Sequence, residues 1–274
     1  MPPQAASRPR ARKDKLATPR DAHEFAIANN AAAFPAMYGQ PPSRVGLRWV
    51  AGARGKPGIN ADIQDAAEAV RMIADPDFEV LGTNATSACT SFNAEGGITL
   101  TTAGGSGDQV ILCPHLDANQ SAWTRWTWGT DRALIWEGTI RTGAAITSTK
   151  IWAGLKLTNT PTVATDNDQV FLRYEAGVAS GVWQVISSIG GTDTTTNSTI
   201  TVAVSTTYRF AITINAGRAA QVWIGVGDAQ PSLIYTTAAL TDATDLIPYI
   251  GVEAAAAAAK AITVYGEDIS RSAA

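Results

Sequence analysis

Asp166-Asn167-Asp168 places two carboxylates and an amide oxygen within three positions, the ligand chemistry a hard cation such as Ca²⁺ prefers. No third acid lies close by in sequence, and an Asx-type turn accounts for the same residues without a metal. Cys113 and His115, separated by Pro114, fall on one side of an extended segment, as a thiol–imidazole pair would require. No orienting residue accompanies them, so chance adjacency at a strand end beside a proline is the preferred reading. Trp123, Trp126 and Trp128 form the third group. In a strand, Trp126 and Trp128 share a face that could stack on sugar rings, whereas Trp123 takes the other. Rings of this size also fill the space between sheets or between subunits, and that role is the preferred reading. The last group is Arg8, Arg10, Arg12 and Lys13, a cationic cluster near the N-terminus.

Charge is distributed unevenly. Residues 1–60 carry ten Lys/Arg against three Asp/Glu, a net +7, and the remainder carries eleven against twenty-one, a net −10. A basic arm on an acidic body suits attraction to nucleic acid or to an acidic protein surface, including another copy of the chain. No groove-reading motif accompanies the basic residues, so nucleic acid would gain phosphate attraction alone and is the less favoured partner. Only 16% of residues are charged and 45% are hydrophobic, enough to bury a sizeable core. Two cysteines make neither a disulfide framework nor metal spacing. No apolar run reaches the length of a membrane span, and no apolar stretch follows the N-terminal charges as in a secretory signal. No glycine-rich phosphate loop precedes a helix, so no cofactor is expected.

The elements that must position these groups fall into three regions. Residues 1–59 read as an extended, Pro/Gly-rich arm interrupted by one short helix, with Thr18 as cap, Pro19 in the first turn and Pro35 as the stop. Within the arm, Tyr38, Leu47 and Trp49 are large apolar residues in backbone too rich in Pro and Gly to form its own core. They are expected to anchor on another surface, most naturally another subunit. Residues 60–77 read as a linking helix, capped by Asn60 and ended at Asp75-Pro76, with Ile63, Ala67 and Val70 on one face.

Residues 78–274 read as strands separated by turns. Leu134, Trp136 and Ile140 alternate with Glu137, Thr139 and Arg141. Tyr208, Phe210, Ile212 and Ile214 alternate with Arg209, Ala211 and Thr213. Val222, Ile224 and Val226 share a face. Further strands are expected at 98–102, 109–113, 123–128, 150–157, 169–175, 182–187, 199–204, 247–252 and 261–265. Gly96-Gly97, Gly104-Gly105-Ser106-Gly107, Gly190-Gly191 and Asn215-Ala216-Gly217 supply the turns. Many short strands with hardly a helix between them predict a mainly β, antiparallel two-sheet sandwich. The alanine run 254–259 has helical propensity, but the alternation flanking it makes it a loop.

Several of these runs resemble the concanavalin-A-like lectin/glucanase sandwiches found in phage structural proteins. They are Trp136-Glu137-Gly138-Thr139-Ile140-Arg141, Ile151-Trp152-Ala153-Gly154-Leu155, Val170-Phe171-Leu172-Arg173-Tyr174, Tyr208–Ile214 and Leu246–Val252. The resemblance covers about two thirds of the chain and implies a jelly-roll of two facing sheets. Glycosidases of that architecture carry Glu-x-Asp-x-Glu on one strand, two carboxylates flanking the scissile bond. This sequence has no such triplet: Glu137 is followed on its face by Thr139 and Arg141, and Glu175 stands alone at a strand end. The expected function is therefore non-enzymatic. The resemblance implies a virion structural protein, a capsid decoration or cement protein on the capsid surface, assembled in the host cytoplasm. Its partners would be the major capsid protein, through the arm, and itself in a homotrimer. The alternatives are a glycan-binding tail fibre or receptor-binding adhesin, using Trp126 and Trp128, and a free carbohydrate-binding module.

Overall fold

The computed structural model describes residues 44–50, 59–60, 78–93, 96–114, 128–156, 168–241 and 246–272. Sixteen strands lie among them, in chain order: β1 Arg44–Val50, β2 Ile59–Asn60, β3 Phe78–Leu81, β4 Thr90–Phe92, β5 Ile98–Thr101, β6 Gln109–Pro114, β7 Leu134–Thr142 and β8 Thr149–Lys156. The second half of the series is β9 Asp168–Glu175, β10 Val182–Ile189, β11 Thr192–Thr201, β12 Thr207–Ile214, β13 Ala219–Val226, β14 Ser232–Ala239, β15 Ile247–Ala254 and β16 Ala261–Ser272.

They form two eight-stranded sheets. The first has the order β14-β13-β12-β7-β16-β5-β4, with β1 also paired to β16. The second has the order β11-β10-β9-β8-β15-β6-β3-β2. Every pairing is antiparallel except the short β2–β3 contact. The mainly β, two-sheet antiparallel sandwich expected from alternation is thus the observed architecture. The two helices expected at 18–34 and 60–77 lie outside the described residues, apart from Asn60, which closes β2.

Alternation explains why these residues form these strands. Along β7, Leu134, Trp136, Gly138, Ile140 and Thr142 are buried while the residues between them are partly exposed. The inward rows of the two sheets meet in one core containing Leu134, Trp136 and Ile140 of β7, Ile151, Ala153 and Leu155 of β8, and Ile250 and Val252 of β15. Aromatic rings bridge the sheets. Trp183 of β10 meets Phe210 of β12 at 4.9 Å and Tyr208 at 5.3 Å, both edge-on. Contacts of this geometry contribute about 0.5–1.5 kcal/mol each beyond the area they bury. The Tyr208 hydroxyl accepts from the Ala203 amide at 2.7 Å, so the ring carries its polar tip to a satisfied position. Burial pushes the Tyr208 phenol above its usual range, with the Ala203 amide opposing.

One core position is unusual. Glu267 of β16 is buried and accepts a 2.8 Å bond from the Trp136 indole nitrogen. It stands opposite Gly138. A side chain at position 138 would come within 2.9 Å of the Trp136 ring, so glycine makes the room that this ring occupies.

Strand β1 changes the reading of the arm. Its seven residues pair with β16 from Gly266 to Ser272, beyond the stretch of β16 that pairs with β5. Part of the segment expected to run along another subunit is therefore a strand of this chain's own first sheet, and the sandwich begins at Arg44 rather than Phe78. The physical reason is that β16 runs twelve residues, well past the end of β5, leaving a row of backbone groups that an extended strand satisfies. Strand boundaries elsewhere shift in the same way. β11 occupies Thr192–Thr201, where a strand over 199–204 was expected, and β14 was not expected at all. The alanine run is a loop, as its flanks require.

Asp108 ties the loops at one end of the sandwich together. Its Oδ1 accepts from the Asn84 side chain at 2.7 Å, and its Oδ2 accepts from the Gly105 amide. Its own carbonyl accepts from the Ala254 amide at 2.9 Å, and the Gly107 amide donates to the Ala254 carbonyl at 2.7 Å. The Asn84 bond, then the Gly105 amide, holds the Asp108 carboxyl below its ordinary value of 3.8, with burial opposing. The folded state then binds fewer protons at this group than the unfolded chain does, so stability is present above pH 3.8 and is lost as pH falls through the lower folded value.

Two outcomes follow. Asp108→Ala should lower the thermal midpoint at neutral pH, with the gap to the parent protein narrowing as pH drops below 3.8; a constant gap by calorimetry across that range would contradict the assignment. Removing residues 1–43 should leave the β-type circular dichroism and the midpoint unchanged. Removing residues 1–58 strips β1 from β16 and should lower the midpoint by at least about 2–4 °C, equivalent to about 1 kcal/mol in a domain of this size.

Candidate functional site

The face of the second sheet turned away from the core carries the densest grouping of polar and aromatic side chains among the described residues. Period-two alternation puts them there: with Ile151, Ala153 and Leu155 inward, Lys150, Trp152 and Lys156 point outward. The register then aligns residues from four and from six strands into two rungs. On the first rung, Gln109, Glu253, Lys150 and Glu175 stand side by side on β6, β15, β8 and β9. Lys150 Nζ lies 2.9 Å from Glu253 and 3.8 Å from Glu175, and Gln109 Nε2 donates to the other Glu253 oxygen at 2.6 Å. Glu175, expected to stand alone, is thus one of two carboxylates sharing an ammonium group, because pairing with β8 brings Lys150 opposite it.

The second rung runs Ile111, Gly251, Trp152, Arg173, Gln184 and Asn197. Arg173 donates twice to Gln184 Oε1, at 3.1 and 3.3 Å, and Gln184 Nε2 donates to Asn197 Oδ1 at 2.8 Å. The Trp152 indole lies across Gly251, where a Cβ would come within 2.7 Å of the ring. Glycine at 251 is what lets the indole lie flat on the sheet.

Further along, Tyr249, Phe171 and Ile186 join Trp152, Ile111 and Ile247 in an apolar cluster separate from the main core, and all six are buried. Phe171 and Tyr249 meet at 6.0 Å, and Lys156 Nζ sits 5.7 Å from the Tyr249 ring centre. Gln169 and Ser188 are cross-strand partners beyond them, both fully buried, and Gln169 Oε1 and the Ser188 hydroxyl have no hydrogen-bond partner. Leaving such groups unpaired costs about 1–3 kcal/mol each.

Of the residues singled out from sequence, Arg8, Arg10, Arg12, Lys13, Tyr38, Trp126, Asp166 and His115 lie outside the described residues. Leu47 and Trp49 belong to β1 and stand opposite Ile269 and Glu267 in its register. Trp128, a candidate for sugar stacking, is buried in the main core at 3% exposure, which leaves no ring face for a ligand. Asp168 is fully buried, and its Oδ1 accepts from the Thr241 amide and hydroxyl, both at 3.0 Å. Among the described residues no three His, Cys, Asp or Glu come together as a metal site would need. Cys89 is a buried free thiol. Glu137 lies on the outer face of the first sheet, in register with Ala211 and Asp268. The rungs themselves escaped the sequence reading. Each strand shows its own alternation, but only the pairing register tells which Lys meets which Glu.

No protein-family model matches the sequence, and no curated protein matches it. Solved structures do resemble the fold. A protein of unknown function, SO2946 from Shewanella oneidensis MR-1, shares 12% identity at a TM-score of 0.57, over 95% of this chain and 96% of that one. Peanut lectin shares 7% identity at a TM-score of 0.52, over 84% of this chain and 97% of its own. The lectin UEA-II, solved with galactose, shares 8% identity at a TM-score of 0.50, over 82% and 98%. At such low identity the likeness is one of fold alone: the chain adopts the concanavalin-A-like, lectin-type β-sandwich.

The first rung gives a direct test. Lys150→Met leaves Glu253 and Glu175, on the strands either side of β8, without their shared cation. Because all three side chains are partly exposed, with Glu253 the most covered at 13%, the expected loss is about 1–2 kcal/mol. Glu175→Gln, which removes the longer of the two ion pairs, should cost less. Equal losses in chemical denaturation would contradict the geometry.

Proposed function

We propose that the protein is a non-enzymatic virion structural protein of the capsid-decoration or cement kind, held to the major capsid protein by its basic N-terminal segment. The observation that best supports this reading is β1. Its ladder on β16 joins the chain after residue 43 to the first sheet, so whatever the preceding segment grips is coupled mechanically to the sandwich. That segment carries six Lys/Arg against three Asp/Glu, including Arg8, Arg10, Arg12 and Lys13, and it also holds Tyr38. Charge speeds encounter with an acidic surface, and buried aromatic anchors hold what has met. The polar rungs support a holding role as well. Glu175 and Glu253 share Lys150, and Arg173, Gln184 and Asn197 hand hydrogen bonds along one rung, an arrangement that stiffens a sheet.

A second reading, a glycan-binding module or adhesin, would use Trp126 as a stacking ring. Two of the fold's neighbours are lectins, one of them solved with galactose. This reading predicts saturable sugar binding that Trp126→Ala abolishes.

Co-sedimentation with capsids lacking the protein separates the two. The full chain should bind, and the chain starting at Arg44 should stay in solution, folded. Replacing Arg8, Arg10 and Arg12 together with Ala should weaken binding most at low salt, where their charges are least screened. Binding by the truncated protein as tight as that of the full chain would overturn the proposal. A glycan array carrying the same two proteins reads out the alternative.

A further inference from the structure

Edge strands expose unpaired backbone groups, and natural sheets blunt them with shortness, bulges, proline or charge. The two sheets follow that rule unequally at their edges among the described residues. β2 has two residues and β4 three. β14 starts just after Pro231 and its pairing with β13 is broken by two register shifts. β1 carries Arg44 and Arg48. β11 is the least protected of them: it runs ten residues, Thr192–Thr201, with no proline and no lysine or arginine, Asp193 is its single charge, and a register shift interrupts its pairing with β10 only beyond Asn197. Its pairing with β10 is regular from Thr192 to Asn197, and nearly all of that stretch is exposed. Six of its ten residues are threonine, a β-branched type that favours strands.

We propose that β11 is an interface between two copies of this chain, paired antiparallel about a two-fold axis through Thr195, so that the second sheets of both copies join into one. The choice of a second copy rests on the strand's self-complementarity. A two-fold that keeps the outward faces on one side pairs residues whose numbers sum to an even value. With Thr195 on the axis, Thr194 meets Thr196 and Asp193 meets Asn197. Threonine pairs and a carboxylate–amide pair both favour antiparallel strands. Asn197 already accepts from Gln184 through its Oδ1, which leaves its Nδ2 as the donor for a carboxylate. Shifting the axis to Thr194 or Thr196 sets Asp193 against a threonine instead. This contact is isologous and gives dimers. It is separate from attachment through the N-terminal segment and does not depend on it.

The test uses the full chain. Sedimentation equilibrium should show an assembly whose mass halves when Thr194 and Thr196 are both replaced by lysine, with circular dichroism and thermal midpoint unchanged. In parallel, Thr195→Cys should form a covalent dimer on mild oxidation, since residues facing each other across antiparallel strands lie within disulfide reach, at about 4.5–5.5 Å between Cα atoms. Thr199→Cys, far from the axis, should not exceed the cross-linking of the parent protein. A parent protein that sediments as one chain at every concentration overturns the proposal. So does a lysine variant that keeps the parent's mass, or a Thr195→Cys protein that cross-links no more than Thr199→Cys.

Discussion

Every strand of the sandwich has to satisfy its backbone laterally while placing one side-chain row between the sheets, and β16 carries the heaviest share of that constraint. It is twelve residues long and pairs with β7 on one side and with β5 and then β1 on the other. Because its partners come from early, middle and N-terminal parts of the chain, β16 can be placed only when nearly all the chain has been laid down. Its own sequence shows the compromise. Val264 faces the core, a bulge follows, and then Glu267 and Ile269 take the inward positions. A carboxylate inside a hydrophobic core is tolerated because the Trp136 indole donates to it and Gly138 opposite leaves the ring room to do so.

The second sheet meets a different demand, burying apolar side chains on both faces. Its inner row belongs to the main core, and on its outer face Trp152, Phe171 and Tyr249 form a cluster of their own. Runs such as Val170-Phe171-Leu172 therefore lack clean alternation, as expected for a strand covered on both sides. Between the apolar patches the register threads polar rungs that satisfy themselves sideways. The outcome is a stiff platform.

Legibility from sequence followed the same physics. β7 is partly exposed on one face, and β12 sets Arg209, Ala211 and Thr213 between its large apolar residues, so alternation in Leu134–Arg141 and Tyr208–Ile214 read directly as strands. β11 and β14 escaped because threonine, serine and alanine give no contrast between faces, and a sheet edge needs none. β1 was hidden by its setting: Gly46 interrupts it, prolines and glycines surround it, and nothing local shows that β16 extends far enough to receive it. The polar rungs are a property of pairing. Glu175 looks isolated in sequence and gains Lys150 only when β8 comes alongside. Trp128 takes the role preferred from sequence for the tryptophan cluster, a ring filling the space between the sheets.

The ladder of β1 on β16 makes Arg44–Val50 part of the first sheet. Amide hydrogen exchange on the free, full-length protein measures this directly. The amides of Arg44–Val50 that bond to β16 should exchange as slowly as those of Gly266–Ser272, both slowing together as one cooperative unit. Exchange of Arg44–Val50 at the rate of an unstructured chain, with β16 still protected, would contradict it.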